Sequence, residues 1–183
     1  MKNLILAFIL FIMACAPKAD YSPREINFDR DICVNCLMGL ADQKYSVQAI
    51  NSHNEVLWFD DIGCLEEYMK KDDWKKWKGD GKVQIWVGDC ETGEWIDAEK
   101  AFYRFGDRTP MGYGYGALKE KRDSTYTFDE LIDRINKGLT MREEFIKQKK
   151  MLHMSKDSAG MMMKDSTEMM MKDSTMMQDS TVN

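Results

Sequence analysis

The sequence predicts an α+β fold in which two β-β-α units pack as one domain over residues 31–150, followed by a disordered, methionine-rich tail over 151–183. Alternating apolar and polar residues mark pairs of short strands, and each pair precedes apolar residues at helical spacing. The composition changes abruptly after residue 150, where aromatic residues cease and methionine repeats begin. A segment of that kind cannot bury a core, so we expect it to be disordered.

The first unit begins with a hairpin. Residues 44–50 alternate apolar and polar side chains, turn-forming residues occupy 51–54, and residues 55–59 provide the second strand. Asp61 is a suitable N-cap, and the apolar residues that follow it recur at helical spacing. We therefore predict a short amphipathic helix over 62–71 that packs against the hairpin.

The second unit is predicted to repeat this order. Residues 83–87 alternate in a strand, residues 95–96 begin its partner after a turn, and residues 102–105 extend the pairing. Between the two units, Trp74 and Trp77 lie among charged residues, and we predict that they form a surface patch.

Two helix signals close the domain. Thr127 and Glu130 have the spacing of a capping box, and Gly138 ends the helix that they begin. Thr140 provides a second start signal, which predicts a last helix through about Lys150.

The N-terminus indicates export. Lys2 precedes an apolar run over 4–12 that is too short to span a bilayer and is typical of a secretory signal. The run leads into Cys15 in a context that resembles a bacterial lipoprotein box; an ordinary cleaved signal and an uncleaved anchor are the alternatives. We expect a signal peptide at 1–14, then a lipidated Cys15 with a tether over 15–30. The protein would then lie in the cell envelope, anchored in the outer or inner membrane and facing the periplasm.

Composition restricts the partners. The chain has 31 acidic and 26 basic residues, a net charge of −5 and no concentrated basic face, so nucleic acid is not an expected partner. Sulfur is abundant, because 16 methionines and 5 cysteines stand beside only 2 histidines. A metal bound by this protein should therefore be a soft one.

Cys33, Cys36 and Met38 form a C-x-x-C-x-M motif just before the first strand. Thiolate and thioether ligands suit Cu(I). Three other interpretations stay open: a thiol-disulfide oxidoreductase that uses Cys33 and Cys36, half of a zinc site, and structural disulfides that join Cys33 to Cys36 or Cys64 to Cys90. The sequence around the motif does not have the βαβ pattern of thioredoxin, and neither histidine has ligand spacing to another.

Four segments resemble the NosL family of lipoproteins. They occur in the family's order between residues 30 and 140: 33–38 (CVNCLM), 59–64 (FDDIGC), 92–98 (TGEWIDA) and 109–117 (TPMGYGYGA). The resemblance implies a periplasmic copper chaperone, without catalytic activity, that serves nitrous oxide reductase. It also implies the paired β-β-α fold of that family and of organomercurial lyase.

The resemblance also implies which residues bind Cu(I). By position the ligands would be Cys36 and Met38, with Met111 closing the site from the second unit. Cys64 is a further candidate because it lies in the first turn of a helix, where the dipole favours thiolate. The role of Cys33 stays open between ligand, disulfide partner and spectator, because the order Leu-Met-Gly after Cys36 departs from the Cys-Gly-Met of many relatives. An exposed motif of this kind would also permit a copper-linked homodimer.

Methionine triplets repeat along the tail and resemble the methionine-rich motifs of exported copper proteins. We predict that they capture Cu(I) weakly and pass it to the folded site, because thioethers stay ligands in an oxidising space. Low-complexity drift and an oxidant sink are the alternatives. The predicted accessory ligands are Met161, Met162, Met163, Met169, Met170, Met171, Met176 and Met177.

Overall fold

The computed structural model describes residues 19–154. The predicted signal peptide, the predicted lipidation site Cys15 and the predicted accessory methionines of the tail all lie outside the described residues. Within 19–154 no helix is both long enough and apolar enough to cross a membrane. The described residues divide into two compact units, which differ from the two predicted β-β-α units: the first ends at Gly138 and the second begins at Leu139.

A four-stranded antiparallel sheet forms the larger layer of the first unit, and its order is β2-β1-β3-β4. The predicted hairpin is confirmed, with Val47 opposite Phe59. All four residues of β1 are buried, as expected for a strand that pairs on both edges. The strands are β1 (Val47–Ile50), β2 (Val56–Phe59), β3 (Gln84–Gly88) and β4 (Trp95–Asp97).

A second, three-stranded antiparallel sheet has the order β6-β5-β7. The α+β class is therefore confirmed. However, the strands are not divided between the two sheets as the two predicted β-β-α units would divide them. The strands β3 and β4 join the first sheet, because β3 pairs with β1 along its length. The predicted extension of that pairing by residues 102–105 is wrong, since this strand pairs with β6 and β7 instead. The strands are β5 (Phe102–Phe105), β6 (Tyr115–Leu118) and β7 (Thr125–Tyr126).

Among the described residues, the helices of the first unit are α1 (Ile62–Met69), α2 (Asp72–Lys78) and α3 (Phe128–Asn136). The predicted caps of α1 and α3 are confirmed, at Asp61 and at the Thr127 capping box. The helix α2 was not predicted, and the expected surface patch is wrong for Trp74, which is buried. Trp74 and Trp77 are three residues apart on one helical face, so their rings pack together with centroids 5.2 Å apart.

The second unit begins with a helix that spans residues 141–154, which we call α4. The hydroxyl of Thr140 accepts a hydrogen bond from the Glu143 amide at 3.3 Å, as the start signal predicts. The helix continues four residues beyond the predicted end at Lys150.

The segment that leads into the domain is bonded to the first sheet. Gln48 is fully buried in β1, and its side-chain amide exchanges two hydrogen bonds with the backbone of Arg24, at 2.8 and 3.0 Å. The indole of Trp86 donates to the Tyr21 carbonyl at 2.8 Å. These bonds satisfy a buried polar side chain and fix the chain shortly before the cysteine motif.

Candidate metal centre

Three thiols converge in the first unit. The Sγ atoms of Cys33, Cys36 and Cys64 all lie within 4.8 Å of one another. Cys33 and Cys64 are buried, whereas Cys36 is partly exposed. Metal–thiolate bonds of about 2.3 Å, the length known for zinc, place the ligands of a trigonal site about 4 Å apart. The observed spacing therefore needs little adjustment to surround one ion.

A tight loop holds Cys33 and Cys36. The Cys33 amide donates to the Met38 carbonyl at 2.8 Å, and the Leu37 amide donates back to the Cys33 carbonyl at 2.9 Å. Leu37 has φ 62°, a left-handed conformation that glycine adopts at lower cost. The Val34 amide donates to the Trp58 carbonyl of β2 at 2.9 Å, so the loop is fixed to the sheet as well as to itself.

Helix α1 supplies the third thiol from its first turn. The backbone amide of Cys64 donates to the Asp61 carbonyl at 2.9 Å, and Asp61 Oδ1 caps the helix by accepting from the Gly63 amide at 3.2 Å. Asp60, which is also buried, accepts from the Ala41 amide at 3.1 Å. Asp61 thus caps α1, and Asp60 fixes the start of the helix to the segment that follows the cysteine loop.

The metal-free cluster concentrates negative charge on one sulfur. Cys33 Sγ accepts a hydrogen bond from the Cys64 thiol and another from the Cys36 amide, which is 3.5 Å away. These two bonds stabilise the thiolate and lower the pKa of Cys33 to about 5. The bond from the Cys64 thiol also raises the pKa of Cys64, and burial raises the pKa of Cys36. At neutral pH the cluster therefore holds a Cys33 thiolate next to two thiols, which is an arrangement that attracts a cation.

The loop that carries Met111 lies against the same helix. The Met111 amide donates to Asp61 Oδ2 at 3.2 Å, so the helix cap also holds this loop. Burial raises the pKa of Asp61 to about 6. The Tyr113 ring lies so close to Gly63 that a Cβ there would be 2.0 Å from a ring carbon. Met111 is consequently placed beside the turn that carries Cys64, partly buried against the core.

The sequence-predicted ligands therefore have different positions. Cys36 and Cys64 are brought together with Cys33, whose role the sequence left open. Met111 is on a neighbouring loop, and Met38 is at the surface, two residues after Cys36. That Met38 and Met111 bind the metal stays a prediction. Ile32, Leu37 and Met38 adjoin Cys33 and Cys36 in the chain and are exposed, and we call these three residues the apolar rim.

The four described cysteines are free thiols. Neither of the disulfides considered from the sequence is formed, and Cys90 is buried outside the cluster. Among residues 19–154, the three-cysteine cluster is the one group of cysteine, histidine and acidic side chains with metal-ligand spacing.

Sequence analysis missed one residue at this centre, Glu67. Its carboxylate accepts from Asn35 Nδ2 at 3.0 Å and from the Tyr113 hydroxyl, so it contacts both loops. The available signal was helical spacing, because Glu67 is three residues after Cys64 and thus on the same face of α1. That signal gains meaning only when the two loops are known to lie on this face.

The fold and the cluster together define an α+β domain with a candidate site for a soft metal ion. Among solved structures, the chain is similar to the copper chaperone NosL from Shewanella denitrificans. The two are 18% identical, with a TM-score of 0.48, and the match covers 61% of this chain and 96% of that one. No protein-family model and no curated protein matches the sequence.

Proposed function

We propose that this chain is an exported lipoprotein that binds Cu(I) at Cys33, Cys36 and Cys64 and delivers it to a periplasmic enzyme. The observation that carries the proposal is the convergence of three sulfurs within 4.8 Å. Nitrous oxide reductase is the acceptor that the sequence resemblance implies. The protein itself would catalyse no reaction, and Cys15 would anchor it to the membrane.

The chemistry of the cluster favours Cu(I) over zinc. Structural zinc sites have four ligands, and catalytic zinc sites have three protein ligands that usually include histidine or carboxylate. Within the described residues the cluster contains three thiols and no imidazole. An all-sulfur site of low coordination number suits a soft monovalent ion.

The exposure of the cluster suggests a path for delivery. Cys33 and Cys64 are buried, whereas Cys36 and the neighbouring Met38 reach the surface. A ligand of the acceptor would therefore approach from the Cys36 side and replace the outer ligands first. The apolar rim of Ile32, Leu37 and Met38 would exclude water from this contact.

The exposed Cys36 side of the cluster would also permit a copper-linked homodimer, which size-exclusion chromatography with and without Cu(I) tests.

An anaerobic titration of the full-length protein against a Cu(I) chelator of known affinity tests the proposal. One tightly bound copper per chain is expected. A protein that takes no copper from the chelator would contradict it.

A second candidate is a thiol-disulfide oxidoreductase, and the lowered pKa of Cys33 favours it. However, a nucleophilic thiol must be accessible, and Cys33 is fully buried. We therefore expect no turnover when the protein is supplied with a reductant and a disulfide substrate. Sustained turnover that Cys33→Ser abolishes would favour the enzyme.

Copper binding is expected to release about two protons per ion at pH 7, since Cys33 is already a thiolate whereas Cys36 and Cys64 are protonated. Because two protons compete with each copper, the Kd should fall by about a hundredfold for each unit of pH increase from above the Cys33 pKa of about 5 up to the raised pKa of Cys36. Titration in a weakly buffered solution with a pH indicator measures the release. A single proton would instead indicate that only one of Cys36 and Cys64 becomes a ligand.

Deletion of residues 155–183 is expected to remove weakly bound copper and to leave one tight ion per chain. The weak sites would be the tail methionines, whereas the tight site is built from the folded unit. Equilibrium dialysis at increasing Cu(I) measures both classes. Loss of the tight ion on deletion would assign the function to the tail.

A further inference from the structure

One carboxylate of α1 connects the two segments predicted to supply the copper ligands. Glu67 Oε2 accepts from Asn35 Nδ2 at 3.0 Å, and its other oxygen accepts from the Tyr113 hydroxyl. Asn35 lies between Cys33 and Cys36 in the chain, and Tyr113 is two residues after Met111. We call Asn35, Glu67 and Tyr113 the clasp.

The bond to Glu67 determines the position of Asn35. The side-chain oxygen of Asn35 is buried and has no hydrogen-bond partner among the described residues. Its amide nitrogen therefore provides the polar contact that orients the side chain. Hydrogen bonds to a charged acceptor are about twice as strong as neutral ones, so this contact is a firm attachment.

The Met111 loop is attached to α1 at separate points. Asp61 accepts from the Met111 amide at 3.2 Å where the helix begins, and Glu67 accepts from the Tyr113 hydroxyl in the second turn. Between them the Tyr113 ring covers Gly63. The loop is thus held along the turn of α1 that carries Cys64, and the cysteine loop is held by the same carboxylate.

We infer that Glu67 is a positioning residue that holds the Cys36 and Met111 segments at a fixed separation, and so determines how tightly Met111 closes over the metal. This inference rests on the proposed function. It predicts that loss of the clasp weakens copper binding although every sulfur ligand is still present. Loss of the clasp should weaken copper binding by displacing Met111. The cysteines are less affected because they are attached separately to the sheet and to the helix.

Tyr113→Phe tests the inference most cleanly. The substitution keeps the ring against Gly63 and removes only the hydroxyl that donates to Glu67. Tyr115→Phe is the matched control, since Tyr115 is equally buried and its hydroxyl accepts from Arg134 at 3.1 Å, away from the clasp. In the full-length protein, Tyr113→Phe should raise the Cu(I) Kd by about tenfold, as loss of an outer partner of a metal ligand does, and the control should leave it unchanged.

A double-mutant cycle with Met111→Ala separates positioning from general stability. If the clasp acts through Met111, Met111→Ala weakens binding in the parent protein and adds little in the Tyr113→Phe background. Equal costs in both backgrounds would overturn the inference, as would a Tyr113→Phe protein that binds copper as tightly as the parent.

Glu67→Gln gives a second test, because it keeps an acceptor oxygen for the phenol but loses the charge, and it should weaken binding by a smaller factor. Should Cys64→Ser lose copper while all clasp variants retain it, the inference fails and the proposed function stands.

Discussion

Replacing Cys64 with serine is expected to weaken Cu(I) binding by at least about a hundredfold, more than the loss of an outer-shell partner typically costs. The substitution removes one of the three converging sulfurs. It also replaces the thiol whose hydrogen bond is the largest cause of the lowered pKa of Cys33. Competition against a chelator of known affinity measures the loss of affinity.

Cys90→Ser provides the control for this experiment. Cys90 is buried like Cys64, and burial raises its pKa, but it lies outside the cluster. A serine there removes a thiol of similar exposure, so copper affinity should be unchanged. Equal losses for Cys64→Ser and Cys90→Ser would show that the assay reports damage to the fold instead of loss of a ligand.

Gly63→Ala is expected to destabilise the fold and to weaken copper binding, although alanine is the better helix former by about 1 kcal/mol. The new Cβ would lie 2.0 to 2.3 Å from three ring atoms of Tyr113. Overpacking of this kind costs about 1–3 kcal/mol, and here it would push the ring and its loop off α1. The Met111 loop would then be displaced from the turn that carries Cys64.

Urea denaturation and copper competition test Gly63→Ala together. Gly39→Ala is the control, since a Cβ at Gly39 meets nothing within 4 Å, close to the same cysteine loop. We expect the control to unfold and bind copper as the parent does. A Gly63→Ala protein that is more stable than the parent and binds copper equally well would contradict the packing of Tyr113 on α1.

The elements that the sequence predicted well are those with local signals. Asp61 and Thr127 cap their helices because each side chain bonds an amide within three residues of itself. The hairpin of β1 and β2 follows from alternation across a short turn. These interactions involve neighbours in the chain, so the residues alone specify them.

The elements that were missed depend on distant partners. The strand β6 was not predicted, and it contains Gly116, where a Cβ would lie 2.1 Å from Asp107 Oδ2 and 3.0 Å from Cys90 Sγ. The glycine is present because the strand packs closely against these residues. Likewise, β3 joins the first sheet because it pairs with the edge of β1 that β2 leaves free. The residues within β3 alone do not predict this pairing.

The candidate site shows the same division. The motif and the family resemblance selected Cys36, Met38 and Met111, and a predicted position in the first turn of a helix selected Cys64. The convergence of Cys33 with Cys64 joins residues 31 positions apart, and it arises from the packing of the cysteine loop on β2 and α1. The clasp through Glu67 depends on the same packing, and spacing along the chain alone does not reveal it.

X-ray absorption at the copper edge of the full-length protein, loaded anaerobically with one equivalent of Cu(I), tests the central claim most directly. We predict an all-sulfur shell that is unchanged by deletion of residues 155–183 and lost in Cys64→Ser. A shell that contains nitrogen or oxygen, or one that disappears when the tail is deleted and survives in Cys64→Ser, would contradict copper binding by the three cysteines.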